Sequence, residues 1–309
     1  MAKKQCSICG GKANTYLVCQ KETLLQCMKC GIIILKNIPP QKIVNSYYGG
    51  GFYDEQGERF HPLLEKLVFL FRYGRARKVI QLAGKGRVLD VGFSRGIMLS
   101  LLRERGWESY GITNSRNVFL HGKKIRIRVR HGELPKASFP SAFFDIITFW
   151  HVLEHVRGPI LYIRECRRIL KPGGVVIIEV PNIGSTSARW FRCNWLGLDL
   201  PRHLYHFTPA SLQYLLEKEH FFIRKIQYFS LEHSIPSLLF SMVKHMTGAE
   251  ESMLESIKKQ STFPAGKKLY TLLLALLLLP VATVLAVLFA LGKQGDIMRV
   301  IAVKNKKRG

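Results

Sequence analysis

Val88-Leu89-Asp90-Val91-Gly92-Phe93-Ser94-Arg95-Gly96 is the stretch from which the rest of the chain can be read. Arg87 to Val91 is short and, after its opening arginine, apolar apart from one carboxylate, the pattern of a buried strand. It runs into a turn with glycine at 92 and 96, where the backbone can approach a ligand without a Cβ in the way. A helix is expected to follow through about Arg105. The turn therefore lies beside the partially positive start of a helix, a place that suits a nucleotide-like ligand.

Downstream the same alternation repeats. Ser109 to Thr113, Ile125 to Val129, Phe144 to Trp150 and Val175 to Val180 read as further strands, with helices between them. Lys171-Pro172-Gly173-Gly174 is a turn, and Thr208-Pro209 opens a helix with threonine as cap and proline at the first helical position. Phe221 to Phe229 and Ile297 to Val303 read as two late strands. This order predicts an α/β fold with a largely parallel sheet covered by helices. Upstream, residues 62–83 form an expected amphipathic helix stopped at Gly84, preceded by a linker containing Tyr47-Tyr48-Gly49-Gly50-Gly51-Phe52-Tyr53.

The N-terminal segment carries a different chemistry. Cys6-x2-Cys9 and Cys27-x2-Cys30 are two matched knuckles, each followed by glycine. Thiolates at this spacing suit one tetrahedral zinc, and a closed set of four makes that zinc structural. Cys19 is left over, as a spare buried thiol. Seven cysteines among 309 residues are too few for a disulfide-stapled fold, and no secretory signal precedes Cys6, so a reducing cytoplasm is expected.

Composition narrows the function classes. With 47% hydrophobic and 22% charged residues, the chain is neither disordered nor fibrous. Its formal net charge of +26 predicts an anionic neighbour, nucleic acid or the cytoplasmic face of a membrane.

Taken together, the two knuckles, VLDVGFSRG, FDIITFWHVLEHV, ILKPGGVVIIEVPN and LDLPRHLYHFTPASL resemble the class I S-adenosylmethionine-dependent methyltransferases, in the branch with an N-terminal zinc ribbon. The resemblance implies a Rossmann-like seven-stranded sheet and S-adenosylmethionine as cofactor. It divides the chain into a ribbon (1–38), a linker and helix (39–85), a methyltransferase domain (86–234 with 294–305) and an insertion (235–293). The family's acidic glycine motif falls on Asp90, Gly92, Ser94 and Gly96, with serine where glycine is usual. The acidic residue that holds the ribose falls on Thr113, so Thr113 and Asn114 would do so with neutral groups. Glu133 is the candidate near the adenine, or else a solvated loop charge.

His151, Glu154 and His155 are spaced i, i+3, i+4, which on a helix brings them to one face. Three readings stay open: structural hydrogen bonding by Glu154 and His155, a histidine general base, or a divalent metal. The last rests on a resemblance to the E-x-x-E-H motif of the ubiquinone-pathway O-methyltransferases, with His151 in place of the first glutamate. Trp195, Arg202, His203 and His206 follow strand five, where an acceptor would enter; the alternative is a packed lid. The [DN]PP[YF] signature of amino-group base methylation and a Pro-Cys nucleophile are missing, which counts against nucleic-acid methylation.

Leu269 to Leu291 has no charge across 23 residues, enough for a helix of about 34 Å. Pro280 at its centre and the late strand after it predict two half-helices, a hydrophobic hairpin that enters and leaves the leaflet on one side. A single span and a buried hairpin are the alternatives. Flanking lysines place both ends on the cytoplasmic face, with residues 237–246 at the interface. The expected enzyme is a monotopic, cytoplasmic-face O-methyltransferase that acts on a lipid-linked glycan or an isoprenoid quinone-like ring. An RNA methyltransferase is the runner-up, and a non-catalytic scaffold the third class.

Overall fold

The computed structural model describes residues 5–40, 43, 62–248 and 265–305; the expected linker at Tyr47–Tyr53 lies outside them. Strands β1 (Ala13–Cys19), β2 (Glu22–Cys27) and β3 (Ile33–Leu35) form an antiparallel ribbon. Helix α1 (Pro62–Ala83) ends where Gly84, at φ 59°, donates to the Ile80 carbonyl.

The strand–helix alternation then proceeds through β4 (Arg87–Val91), α2 (Ile97–Glu104), β5 (Glu108–Thr113), α3 (Arg116–Lys124), β6 (Arg128–His131) and β7 (Phe144–Trp150). It continues with α4 (Pro159–Ile169), β8 (Leu170–Pro181), α5 (Thr186–Phe191), β9 (Tyr205–His206), α6 (Pro209–Lys218) and β10 (Phe221–Gln227). Helices α7 (Ser234–Thr247) and α8 (Ala265–Leu291) precede the last strand, β11 (Ile297–Lys304).

Seven strands make one sheet in the order β10-β11-β8-β7-β4-β5-β6. β4 through β8 are parallel, and β11 inserts antiparallel between β8 and β10. This is the Rossmann-like methyltransferase sheet that the motifs imply. Its third strand begins at Arg128 and not at Ile125, because Arg126, at φ 58°, and the turn bonds that close α3 occupy the expected start.

Strand pairing, a disulfide and a shared core bind the ribbon to the sheet domain. β3 pairs with β9, Ile33 opposite His206, so a segment 170 residues away completes a four-stranded sheet. Cys19, expected as a spare thiol, forms a disulfide with Cys193 just after α5, which a reducing compartment does not favour. Cys6, Leu24, Ile32 and Ile33 share one apolar core with Leu89, Phe149 and Leu212.

The apolar insertion also departs from expectation. α8 is one helix through Pro280, not two half-helices. Proline removes one amide donor, but packing against α7 continues on both sides of it and keeps the helix whole. Ala275, Ala282 and Ala286 form a small-residue stripe against Leu238, Leu239 and Val243 of α7. The hairpin is therefore α7 leading out from the sheet and α8 returning to it. Asp296 locks its base by accepting from Ser237, Ser187 and the indole of Trp195.

Candidate active site and metal centres

The turn after β4 is left-handed at every second residue: Gly92 at φ 72°, Ser94 at 50° and Gly96 at 70°. The Gly92 amide donates to the Ile112 carbonyl and the Gly96 amide to the Phe93 carbonyl, which fixes the turn at the start of α2. Glycine is required at 92 for a second reason, since a Cβ there would stand 2.6 Å from Val152 Cγ2. Ser94 accepts a backbone state that L-residues resist, which explains why glycine is usual at this position. The ring of Phe93 turns away into the core against Gly111 and Gly122.

Asp90 stands at the end of β4, buried, with Oδ1 accepting from Thr148 Oγ1 at 2.6 Å. Burial raises its pKa to about 6, opposed by the Thr148 hydrogen bond and by Arg75. Thr113 closes β5; its hydroxyl accepts from the Ser115 amide at 3.1 Å, and Ser115 in turn caps α3. Asn114 is exposed beside it, its carbonyl 3.1 Å from His131 Nε2. Glu133 precedes the short turn 134–136 and pairs with Lys136 at 3.0 Å. These groups line one edge of the sheet, where β4, β5 and β6 end.

His151, Glu154 and His155 do not lie on a helix, contrary to the spacing argument. His151 extends β7 by one rung, its amide donating to the Glu179 carbonyl at 2.9 Å, and then takes φ 55°, which breaks helical continuation. The helix waits until Pro159, behind a left-handed Gly158. The three residues consequently divide. His151 Nε2 lies 3.4 Å from Glu179 and its ring centroid 4.1 Å from that of His233. Its Nδ1 is 3.3 Å from Glu154. Burial works against its charge, but Glu154 and Glu179 outweigh burial and raise its pKa to about 9. A histidine that stays protonated at neutral pH is a cation, not a base.

Glu179, Arg75, Glu232 and His233 are the residues that motif reading missed. Glu179 is fully buried on β8 and accepts from Arg299 of β11. Arg75, from α1, pairs with Glu232 at 2.7 Å and lies over the Trp150 ring at 4.6 Å. Burial pushes Glu179 up, yet His151, Arg299 and Arg75 hold it well below the usual carboxylate range. The sequence signal for this group was a charged residue inside each of two apolar strands.

The acceptor-side residues are packed inward. Trp195 is 2% exposed and donates to Asp296, so it anchors the hairpin and is withdrawn from the acceptor set. Arg202 makes a two-pronged pair with Asp199 at 3.0 and 2.6 Å. His203 and His206 are buried and donate to the carbonyls of Gly197 and Leu198. Burial lowers the pKa of both. Within this segment the two imidazoles bind backbone carbonyls and Arg202 binds the Asp199 carboxylate.

The four knuckle sulfurs lie within 4.8 Å of one another, with Cys6–Cys30 at 3.6 Å and Cys9–Cys27 at 3.4 Å. Four thiolates about 2.3 Å from one tetrahedral ion would be spaced by about 3.8 Å. Amides of Ile8, Lys29 and Cys30 point at Cys6 and Cys27 sulfurs, a donor set that favours thiolate. The set fits zinc.

A methyltransferase-domain family model matches residues 56–225, more than half of the chain. A protein of Mycolicibacterium smegmatis described as a probable S-adenosylmethionine-dependent methyltransferase is 28% identical over 169 residues, 52% of this chain and 62% of that one. The ubiquinone biosynthesis O-methyltransferase of Stutzerimonas stutzeri is 32% identical over 139 residues, 42% of this chain and 58% of that one. The chain thus spans less than two thirds of the length of these relatives. An S-adenosylmethionine-dependent methyltransferase structure from Archaeoglobus fulgidus superposes with a TM-score of 0.50 at 20% identity, over 85% of this chain and 99% of that one.

Proposed function

We propose, from the premise that this chain belongs to the S-adenosylmethionine-dependent methyltransferases, that it methylates a hydroxyl of a lipid-borne acceptor at the cytoplasmic face of a membrane. The observation that carries this reading is α8. Its outer face presents Leu273, Leu276, Leu277, Val284, Leu288 and Leu291. Within five residues its end joins β11, whose Ile297 pairs with Pro181 at the C-terminal end of β8. An apolar helix is thereby fixed to the edge of the sheet where Asp90 and His151 sit. Thr271 and Thr283 turn their hydroxyls onto carbonyls of the same helix, so these side chains present no unmet donor to lipid.

The helix is read as lying in the plane of the leaflet, its stripe of small residues on α7 and its broad apolar face in the acyl region. Lys267 at one end and Lys293 at the other then remain at headgroup level on one side. Confinement to that plane raises the effective concentration of an acceptor held in the same leaflet.

When bound, S-adenosylmethionine supplies an electrophilic methyl group. The turn at residues 92–96 and Asp90 would hold its amino-acid end, Thr113 and Asn114 its ribose, and Glu133 its adenine side. The protein's share of the reaction is alignment. Both nitrogens of His151 face carboxylates, Glu154 and Glu179, so it is not placed to take the acceptor's proton. This favours a phenol-type ring, whose hydroxyl ionises near pH 10 and can lose its proton to solvent as the methyl group transfers, over an alkyl hydroxyl. The relative from Stutzerimonas stutzeri, named for ubiquinone biosynthesis, supports the same acceptor class.

A second reading has one observation behind it. Arg128 and Arg130 are exposed on edge strand β6, with exposed Arg126, Lys123 and Lys124 just before it, an array able to follow a phosphate backbone. A labelled-methyl assay on membrane-lipid and RNA extracts separates the two. Label in the lipid fraction is expected; label in RNA alone replaces the first reading with the second.

Two further outcomes test the parts. S-adenosylhomocysteine affinity, measured by calorimetry, should fall as pH drops through about 6, because Asp90 takes up its proton there. Asp90→Asn should bind at least about tenfold more weakly at pH 8, the loss of one charge-assisted hydrogen bond, and should show no such limb. Cys27→Ser should lose zinc from the ribbon by elemental analysis; full retention would remove the ribbon metal.

A further inference from the structure

Five of the seven cysteines have an evident place. Cys6, Cys9, Cys27 and Cys30 face one another in the ribbon, and Cys166 is buried in the core of the sheet domain. The other two, Cys19 and Cys193, are joined across 174 residues, their Cα atoms 5.5 Å apart. Disulfides in a reducing cytoplasm are usually transient and redox-sensing, not structural. What this bond holds together therefore matters.

The ribbon does not depend on it. β3 pairs with β9, and Leu24, Ile32 and Ile33 share the core of the sheet domain. Lys218 Nζ donates to the Ile8 carbonyl at 3.0 Å, and the hydroxyls of Ser7 and Tyr205 lie 3.1 Å apart. These contacts all engage the knuckle end and β3. At the opposite end, the turn from β1 to β2 exposes Gln20 and Lys21, and Cys19 is the residue that fastens it.

On the other side of the bond, residues 194–196 are stitched to the apolar hairpin. Asn194 Nδ2 lies 3.2 Å from His245 Nδ1, and the Leu196 amide donates to Ser241 Oγ at 2.9 Å. The Trp195 indole donates to Asp296 at the hairpin base. A covalent link at Cys193 thus carries constraint from the ribbon tip to α7, on which α8 packs. Access is one-sided. Cys193 is part-exposed and Cys19 is 9% exposed, so an incoming thiolate meets the Cys193 sulfur first.

We propose that Cys19–Cys193 is a thiol–disulfide exchange site for small thiols of the glutathione class, and that its bond reversibly couples the ribbon to the hairpin. Opening starts when a glutathione thiolate attacks Cys193 Sγ; the bond to Cys19 breaks and Cys19 leaves as a thiolate. A second glutathione thiolate attacks the glutathione sulfur of the mixed disulfide and releases the Cys193 thiolate. Two electrons pass from two glutathiones to the protein, and the two protein thiolates take up the protons those glutathiones lost. Glutathione disulfide departs. Closure is the reverse exchange, with glutathione disulfide as the oxidant. The zinc thiolates take no part, being held by the ion.

The test needs neither cofactor nor acceptor, so it stands apart from the methylation reading. Full-length, zinc-loaded protein is equilibrated in glutathione buffers from fully oxidised to fully reduced, alkylated, and read by mass spectrometry at the Cys19 and Cys193 peptides. Both peptides should gain the label together across that series, with zinc content unchanged. On reduction the melting midpoint should fall by about 5–10 °C, since a cross-link over so long a loop is lost. Amide exchange at 192–196 and 241–247 should quicken by at least about tenfold, while β3 keeps its protection. Cys19→Ser and Cys193→Ser should each match the reduced parent and ignore the buffer. Label on both peptides in every buffer would overturn the proposal, because no bond forms. Label only after unfolding would also overturn it, because the bond is then merely structural. Unchanged exchange at 241–247 on reduction would remove the coupling to the hairpin.

Discussion

Glu179→Ala is expected to lower the unfolding free energy by about 3–5 kcal/mol, the usual loss when one partner of a buried ion pair is removed. That is a large part of the 5–15 kcal/mol available to ordinary proteins. The substitution leaves Arg299, Arg75 and protonated His151 facing one another without their shared carboxylate. Replacing the pair together, Glu179→Met with Arg299→Met, should recover a substantial part, since two well-packed apolar groups need no compensation. Urea midpoints at constant slope measure both. A single variant within about 0.5 kcal/mol of the parent, an effect typical of unremarkable surface sites, would mean that the network is idle.

The same network sets an expected pH profile. The carboxyls of Glu179 and Glu232 are held below their ordinary value of 4.5. Their contribution is therefore present above about pH 4.5 and lost as the pH falls. His151 is raised from 6.5 to about 9. Its contribution is complete below 6.5 and disappears as the pH rises through 9, about 3 kcal/mol in all at 1.36 kcal/mol per unit. The network's own contribution should be largest between pH 5 and 6.5, and its alkaline limb should vanish in His151→Gln.

Placing three glutamates on the outer face of α8, at Leu277, Val284 and Leu288, should abolish flotation with vesicles containing anionic lipid. These positions are exposed and share one face, so the fold has no reason to suffer. A single charge costs about 2.5–3.5 kcal/mol deep in hydrocarbon and less near the interface. Even at a third of that cost each, three charges weaken partitioning by about 100-fold. Unchanged flotation with an unchanged melting curve would refute the in-plane helix.

What the sequence disclosed follows a physical rule. The glycine turn, the parallel alternation and the knuckles were legible because each depends on neighbours in the chain: a positive φ, a period, a spacing. The charge network was not, because Arg75 on α1, Glu179 on β8, Glu232 after β10 and Arg299 on β11 meet only through tertiary packing. HVLEH misled because its spacing is helical while its backbone turns left-handed at His151. Pro280 misled differently, since tertiary packing against α7 overrode a local helix breaker. The partner of Cys19 lay 174 residues away, beyond any local pattern.

The pairing of Ile33 with His206 makes the small metal-binding knuckle a poor candidate for transplantation. A homologous knuckle grafted from another enzyme would have to present a matching strand edge to Tyr205 and His206, or the covering segment would lose its main-chain partner. Chimeras exchanged at residue 38 should therefore express as folded sheets with a disordered cover, whereas exchanges that carry residues 195–207 along with the knuckle should keep both.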